Sequence, residues 1–158
     1  MKSNVKVKIC GLTTSNTVQA AIAADTDYIG FVFFAKSPRY VTPQESTKLA
    51  EFVPETVIKV GLVVDADDAL LDDIMSNSSV NMLQLQGKET PERVAKIKFK
   101  TGLPVMKAVG VSEKSDLDVL EDYIGIADQL LIDAKPPEGA KLPGGNGLAF
   151  DWTILSEA

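Results

Sequence analysis

The chain has 158 residues, 22 acidic against 16 basic side chains for a net charge of −6, a single cysteine and no histidine. With 45% hydrophobic and 24% charged residues it has the balance of a globular domain, which excludes wholesale disorder, and its length suits one domain. The acidic surplus disfavours nucleic acid as a partner, and the lone Cys10 excludes an internal disulfide or a multi-cysteine zinc site. No apolar run nears the ~18 residues of a membrane span, and Met1–Lys6 lacks the apolar segment of a signal peptide, so a cytoplasmic protein is expected. Without histidine, any proton transfer has to use Asp, Glu, Lys, Tyr or Cys.

Apolar, β-branched runs mark six strands, each starting 22 to 29 residues after the one before: Val5–Cys10, Tyr28–Phe34, Val57–Val64, Met82–Gln86, Pro104–Val109 and Gln129–Asp133. Helical spacing fills the intervals. In 15–24, Val18, Ala21 and Ile22 share a face, and in 43–52 Leu49, Ala50 and Phe52 do. The stretches 69–75, 91–99 and 116–124 read likewise, and a sixth helix begins at 150–155. Thr42 before Pro43 with Glu45 three residues on, and Thr90 before Pro91 and Glu92, are helix starts.

A strand and a helix about every 25 residues make a chain of βα units, hence a parallel sheet with helices outside it. The expected fold is α/β, a (β/α)8 TIM barrel forming one domain over 1–158, of which six βα units are present. Eight units take roughly 200 residues or more, so the last two are expected to be missing. The alternative is an open doubly wound sheet, but Cys10-Gly11-Leu12-Thr13 stands where its Gly-x-Gly-x-x-Gly fingerprint belongs.

Strand parity then selects candidates. Val5, Val7 and Ile9 form the helix-facing set of the first strand, which turns Lys6, Lys8 and Cys10 inward. The same alternation turns Gln84 and Gln86 inward in the fourth strand and Asp133 inward in the sixth. Cys10, Gln86 and Asp133 close the carboxyl ends of their strands, where barrels of this kind carry their chemistry. Each has a bland reading: a buried Cys as a small hydrophobe, a strand-end carboxylate as a loop cap, Gln84 as a backbone partner. Their convergence at one mouth is what favours function. Arg39, in the loop after strand two, has the fork to grip a carboxylate. The sixteen residues Ala134–Ala149, with four glycines and three prolines, read as a lid, and Gly144-Gly145-Asn146-Gly147 as a source of N–H groups for an anion. Asp65, Asp67, Asp68, Asp72 and Asp73 lack the glycine of a calcium loop and read as a helix start and a solvated face. Trp152 beside Phe150 reads as a packing anchor.

These residues resemble one family, the phosphoribosylanthranilate isomerases of tryptophan biosynthesis. The matching stretches are VKICGLT (Val7–Thr13), YIGFVFFAKSPRYVTP (Tyr28–Pro43), KVGLVVD (Lys59–Asp65), LQLQG (Leu83–Gly87), MKAVGV (Met106–Val111), LLIDAKPP (Leu130–Pro137) and LPGGNGLAFDW (Leu142–Trp152). The resemblance implies a (β/α)8 barrel and an Amadori rearrangement of N-(5-phosphoribosyl)anthranilate to 1-(2-carboxyphenylamino)-1-deoxyribulose 5-phosphate. It implies Cys10 as general base and Asp133 as general acid. Arg39 would hold the anthranilate carboxylate, and Lys8, Gln84 and Gln86 would bind substrate. Neither metal nor cofactor is implied. The partner is a small anionic phosphosugar, met by a monomer or a homodimer.

The chain departs from the family pattern at two points. Gln86 replaces the histidine of the usual LQLHG; it can hydrogen-bond but carries no charge. The family's phosphate cradle lies in glycine-rich loops after strands seven and eight, beyond the units seen here. Two other readings stand beside the isomerase: a non-catalytic remnant serving as a binding or assembly module, and a sibling barrel acting on another phosphosugar.

Overall fold

Three threonines start helices in the same way. Thr14, Thr42 and Thr90 each accept, through the side-chain hydroxyl, the backbone N–H of the residue three places on, at 3.1–3.3 Å. Glu45 closes the box at Thr42 by accepting the Thr42 N–H at 2.8 Å, and the hydrogen bonds from Thr42 hold its carboxyl below the usual value. Asp67 does the same for the third helix, accepting from Leu70 N at 2.8 Å. The fourth helix ends on Gly102 at φ +67°, a left-handed position that suits glycine.

The computed structural model describes residues 5–137, 139–140, 144–145, 147 and 149–157. Strands β1 (Lys8–Cys10), β2 (Tyr28–Val32), β3 (Ile58–Val63), β4 (Met82–Leu85), β5 (Val105–Val111) and β6 (Gln129–Ala134) alternate with helices α1 (Ser15–Ala23), α2 (Pro43–Ala50), α3 (Asp68–Asn77) and α4 (Pro91–Thr101). A 3₁₀ segment, Lys114–Tyr123, stands between β5 and β6, and a second, Trp152–Glu157, follows β6. Strand order in the sheet is chain order. No described helix is long and apolar enough to cross a membrane.

Two compact units divide the chain, Met1–Leu83 and Gln84–Ala158. In the first, β1 pairs with β2 and β2 with β3, all parallel, with Cys10 opposite Gly30 and Gly30 opposite Val60. Its core is Val18, Ile29, Phe31, Val60, Val63, Leu71 and Ile74, all fully buried. In the second, β5 and β6 run parallel with Lys107 opposite Leu130 and Gly110 opposite Asp133. Its core gathers Leu85, Val94, Ile97, Val105 and Val111.

A device absent from the sequence reading ties strands together at their amino ends. The residue just before an even-numbered strand accepts the backbone N–H at or near the start of the preceding strand, and returns its own N–H to the same residue's carbonyl. Asp27 does this to Val7, at 2.8 and 2.9 Å. Asn81 does it to Lys59, at 2.8 and 2.9 Å, and Asp128 to Val105, at 2.8 Å in both directions. Each staple satisfies a donor and an acceptor that the sheet ladder leaves over at a strand start. Asp128 is further held by Lys98 Nζ at 2.8 Å, and that contact, with the Val105 N–H, keeps its carboxyl below the usual value.

Elsewhere the expectations are corrected. The first strand is Lys8–Cys10 rather than Val5–Cys10, and Val5, Val7 and Ile9, expected under helices, remain 73%, 48% and 40% exposed. The fifth helix is 3₁₀ rather than α. Its apolar residues Leu117, Leu120 and Tyr123 recur at exact threes, the period of the tighter helix, with Leu117 and Tyr123 buried. Trp152 is 62% exposed: it lies against Phe150 at 4.6 Å between ring centroids and anchors no core.

Candidate functional site

In the first unit the carboxyl end of β1 is shaped by two glycines. Cys10 is half-buried, and a Cβ on the facing Gly30 would stand 2.6 Å from its Sγ, so the bare glycine is what lets the thiol lean across β2. Lys8, two residues back, shares Cys10's face of the strand. Gly11 follows at φ +82°, its N–H and that of Leu12 both donating to Gly30 O at 2.8 and 3.1 Å. A Cβ on Gly11 would stand 2.5 Å from Arg39 Cδ and 3.0 Å from Nη1, so the Arg39 side chain lies directly over this glycine. The loop that delivers Arg39 folds back on β2: Ser37 Oγ accepts the Arg39 N–H at 3.1 Å, and Val41 N donates to Val32 O at 3.1 Å. Thus Cys10 and Arg39, both selected from the sequence, are neighbours at one strand end.

In the second unit, Gln84, Gln86 and Asp133 form one chain of hydrogen bonds. Gln84 Nε2 donates to Gln86 Oε1 at 2.6 Å, and Gln86 Nε2 donates to Asp133 Oδ2 at 3.0 Å. The polarity fixes the carboxamide: turned over, Gln86 would set its oxygen against the Asp133 carboxyl and its NH₂ against that of Gln84. Asp133 Oδ1 accepts the Ala134 N–H at 2.9 Å. Gly144 closes over this pair, for a Cβ there would be 2.6 Å from both Asp133 Oδ2 and Gln86 Nε2. The glycine-rich run therefore contributes a close backbone approach at Gly144. Asn146 and part of the lid segment, 138, 141–143 and 148, lie outside the described residues.

Sequence reasoning missed Lys107 and Glu89, a buried ion pair with side chains 3% and 1% exposed and Nζ 2.9 Å from Oε2. Two signals were available: a lysine inside the apolar run VMKAV, and a carboxylate directly before the helix-starting Thr90. Tyr123 Oη donates to Glu89 O at 2.8 Å, and burial, then the Glu89 carboxylate, raise the tyrosine's pKa above its ordinary value. Just past the end of β6, Lys135 Nζ is 2.5 Å from Asp116 Oδ1; that contact, with hydrogen bonds from Ser112, holds the Asp116 carboxyl far below the carboxylate range. Among the described residues no group of three or more acidic or Cys side chains is placed to hold a metal ion. Asp67 and Asp68 serve the start of α3, as their spacing suggests.

Residues 7–158 match the family model described as N-(5'-phosphoribosyl)anthranilate (PRA) isomerase. The chain is 59% identical over 152 residues to the N-(5'-phosphoribosyl)anthranilate isomerase of Paracoccus denitrificans, covering 96% of this chain and 71% of that one. It is similar in fold to the crystal structure of phosphoribosyl anthranilate isomerase from Thermotoga maritima, with a TM-score of 0.83 and 34% identity over 96% of this chain and 70% of that one. A second crystal structure holds the same enzyme type in complex with reduced 1-(o-carboxyphenylamino)-1-deoxyribulose 5-phosphate. It matches with a TM-score of 0.76 and 33% identity over 82% of this chain and 65% of that one.

Proposed function

Because the chain belongs to the N-(5'-phosphoribosyl)anthranilate isomerase family, we propose that it serves the Amadori rearrangement of N-(5-phosphoribosyl)anthranilate, with Asp133 as general acid and Cys10 as general base. The observation that carries this reading is the hydrogen-bond chain Gln84–Gln86–Asp133, which orients a carboxyl group at the carboxyl end of β6.

The steps follow from the chemistry of the substrate. Asp133 gives a proton to the furanose ring oxygen, the bond from that oxygen to C1 breaks, and the anthranilate nitrogen's lone pair closes onto C1 as an iminium. The cation acidifies C2. Cys10 removes the C2 proton, the C2–H electron pair forms the C1–C2 double bond, and the iminium becomes an enolamine. Transfer of the enol proton and protonation at C1 deliver the ketone. Acid and base act in sequence, so neither needs to be a histidine.

The other residues hold the reactants. Arg39, laid over Gly11, offers its guanidinium fork to the anthranilate carboxylate. Gln86 presents its N–H to Asp133 and so turns the carboxyl group, while Gln84 holds the far side of the same carboxamide. Lys8 supplies a positive charge on the face of Cys10, which attracts an anionic substrate. Gln86, in place of the family's histidine, turns the Asp133 carboxyl by hydrogen bonding alone.

The test is conversion of N-(5-phosphoribosyl)anthranilate followed by ¹³C NMR at C2, which changes from a carbinol to a ketone carbon. It is run on the 158-residue chain and on the chain joined to the part of the Paracoccus relative that it does not cover. Ketone formation in the joined protein, lost on Cys10→Ala, supports the reading. A folded joined protein that forms no ketone overturns it.

A further inference from the structure

We infer that Lys107 is a positioning residue: its ammonium, buried with Glu89, clamps the backbone on both sides of Gln86 and so fixes the Gln86 carboxamide on Asp133. The inference rests on the reading of Asp133 as the acid, but its geometry stands by itself. Lys107 Nζ donates to Gly87 O at 2.7 Å, to Glu89 Oε2 at 2.9 Å and to Leu85 O at 3.4 Å. An ammonium has three N–H donors, and these three acceptors use them all, so none is left to take a ligand. Leu85 and Gly87 are the residues that flank Gln86.

Face and burial exclude direct contact with substrate. Across the parallel β5–β6 ladder Lys107 stands opposite Leu130, whereas Gly110 stands opposite Asp133. Positions 107 and 110 differ by an odd number, so Lys107 is on the other face of the sheet from Asp133. Its side chain rises on the helix side to the end of β4, where the Tyr123 ring packs with its centroid 5.8 Å from Nζ. Glu89 completes the clamp, its Oε1 accepting the Gly87 N–H at 3.2 Å. A buried ion pair can often be replaced by well-packed apolar side chains without loss of stability. Here the pair does something an apolar pair cannot: it hydrogen-bonds two carbonyls, with the residue bonded to the acid between them.

The experiment uses the full chain with Lys107→Met and Glu89→Met together, a substitution that keeps shape and leaves no unpaired charge. The Gln86 side-chain NH₂ is followed by ¹⁵N–¹H NMR. Its exchange with water is expected to rise about tenfold, equivalent to about 1.4 kcal/mol, and its resonance to move, while backbone signals of α4 stay in place. An unchanged Gln86 signal in the folded variant overturns the inference. Should the variant not fold, the unsubstituted chain decides: a Gln86 carboxamide as ordered as the β4 backbone supports the clamp, and one that averages freely overturns it. In the joined, active protein the double variant is expected to lower kcat about tenfold with KM within about twofold, and Gln86→Ala on top of it to add less than about twofold. A simple multiplication of the two losses contradicts the coupling. If the NMR change appears but neither protein turns over substrate, the clamp stands and the catalytic reading falls.

Discussion

Arg39 lies against Gly11 so closely that a single methyl group on the glycine would stand 2.5 Å from the arginine's Cδ. The residue after the proposed base is thus the floor on which Arg39, the arginine proposed to grip the substrate carboxylate, rests. Gly11→Ala should displace Arg39 and also strain a backbone held at φ +82°. Losing a charge-assisted hydrogen bond costs about 1.5–3 kcal/mol, so substrate affinity should fall roughly 10- to 100-fold. Calorimetric titration with a reduced product analogue measures it, and Arg39→Ala should reproduce the loss.

Gly144→Ala is expected to act on Asp133, the proposed acid, rather than on binding. The added carbon would meet both Asp133 Oδ2 and Gln86 Nε2 at 2.6 Å, and one of them must move. kcat should fall by about tenfold or more with KM little changed, as for loss of an interaction made in the transition state. Steady-state kinetics at saturating substrate give the answer.

The Asx staples predict a graded stability effect. Asp128→Ala removes the acceptor for Val105 N and the partner of Lys98. Leaving a part-buried N–H without its bond costs about 1–3 kcal/mol, so the urea midpoint should drop accordingly. Asp128→Asn, which keeps an acceptor oxygen, should recover most of it, because the exposed ion pair contributes little. A midpoint unmoved by Asp128→Ala would show that the staple does not hold β5.

Acid should find the same places. The folded-state pKa values of Asp116 and Asp128 are both depressed, by Lys135 and Lys98 respectively. Such groups stabilise the fold fully above their unfolded value of about 3.9, and that contribution is lost as pH falls through the folded values. Stability should therefore decline below about pH 4, and Asp116→Asn should flatten the decline. Urea titrations from pH 6 to pH 2 test this; equal acid slopes with and without Asp116 would contradict it.

Strand period and threonine caps carried most of the fold in the sequence, because burial alternation and N-cap chemistry are local. They placed β2 through β6 to within two residues at each end and the α4 start at Pro91. β1 is shorter than its alternation suggests, because VKVKIC continues past the residues that form ladder bonds. Cys10, Gln86 and Asp133 were legible as polar groups at strand ends. The Lys107–Glu89 pair was not, since it joins a strand interior to a loop 18 residues earlier. Nor were the structural duties of Gly11, Gly30 and Gly144, which depend on what approaches them across space.

The central claim is that Asp133 and Cys10 of this chain are the acid and the base. It is tested most directly by turnover of the joined protein carrying Asp133→Asn or Cys10→Ala, with folding verified by circular dichroism. Each substitution should lower kcat by about 10²–10⁴-fold, the usual range for one general acid or base, with the fold intact. Near-normal turnover in either folded variant would contradict the assignment.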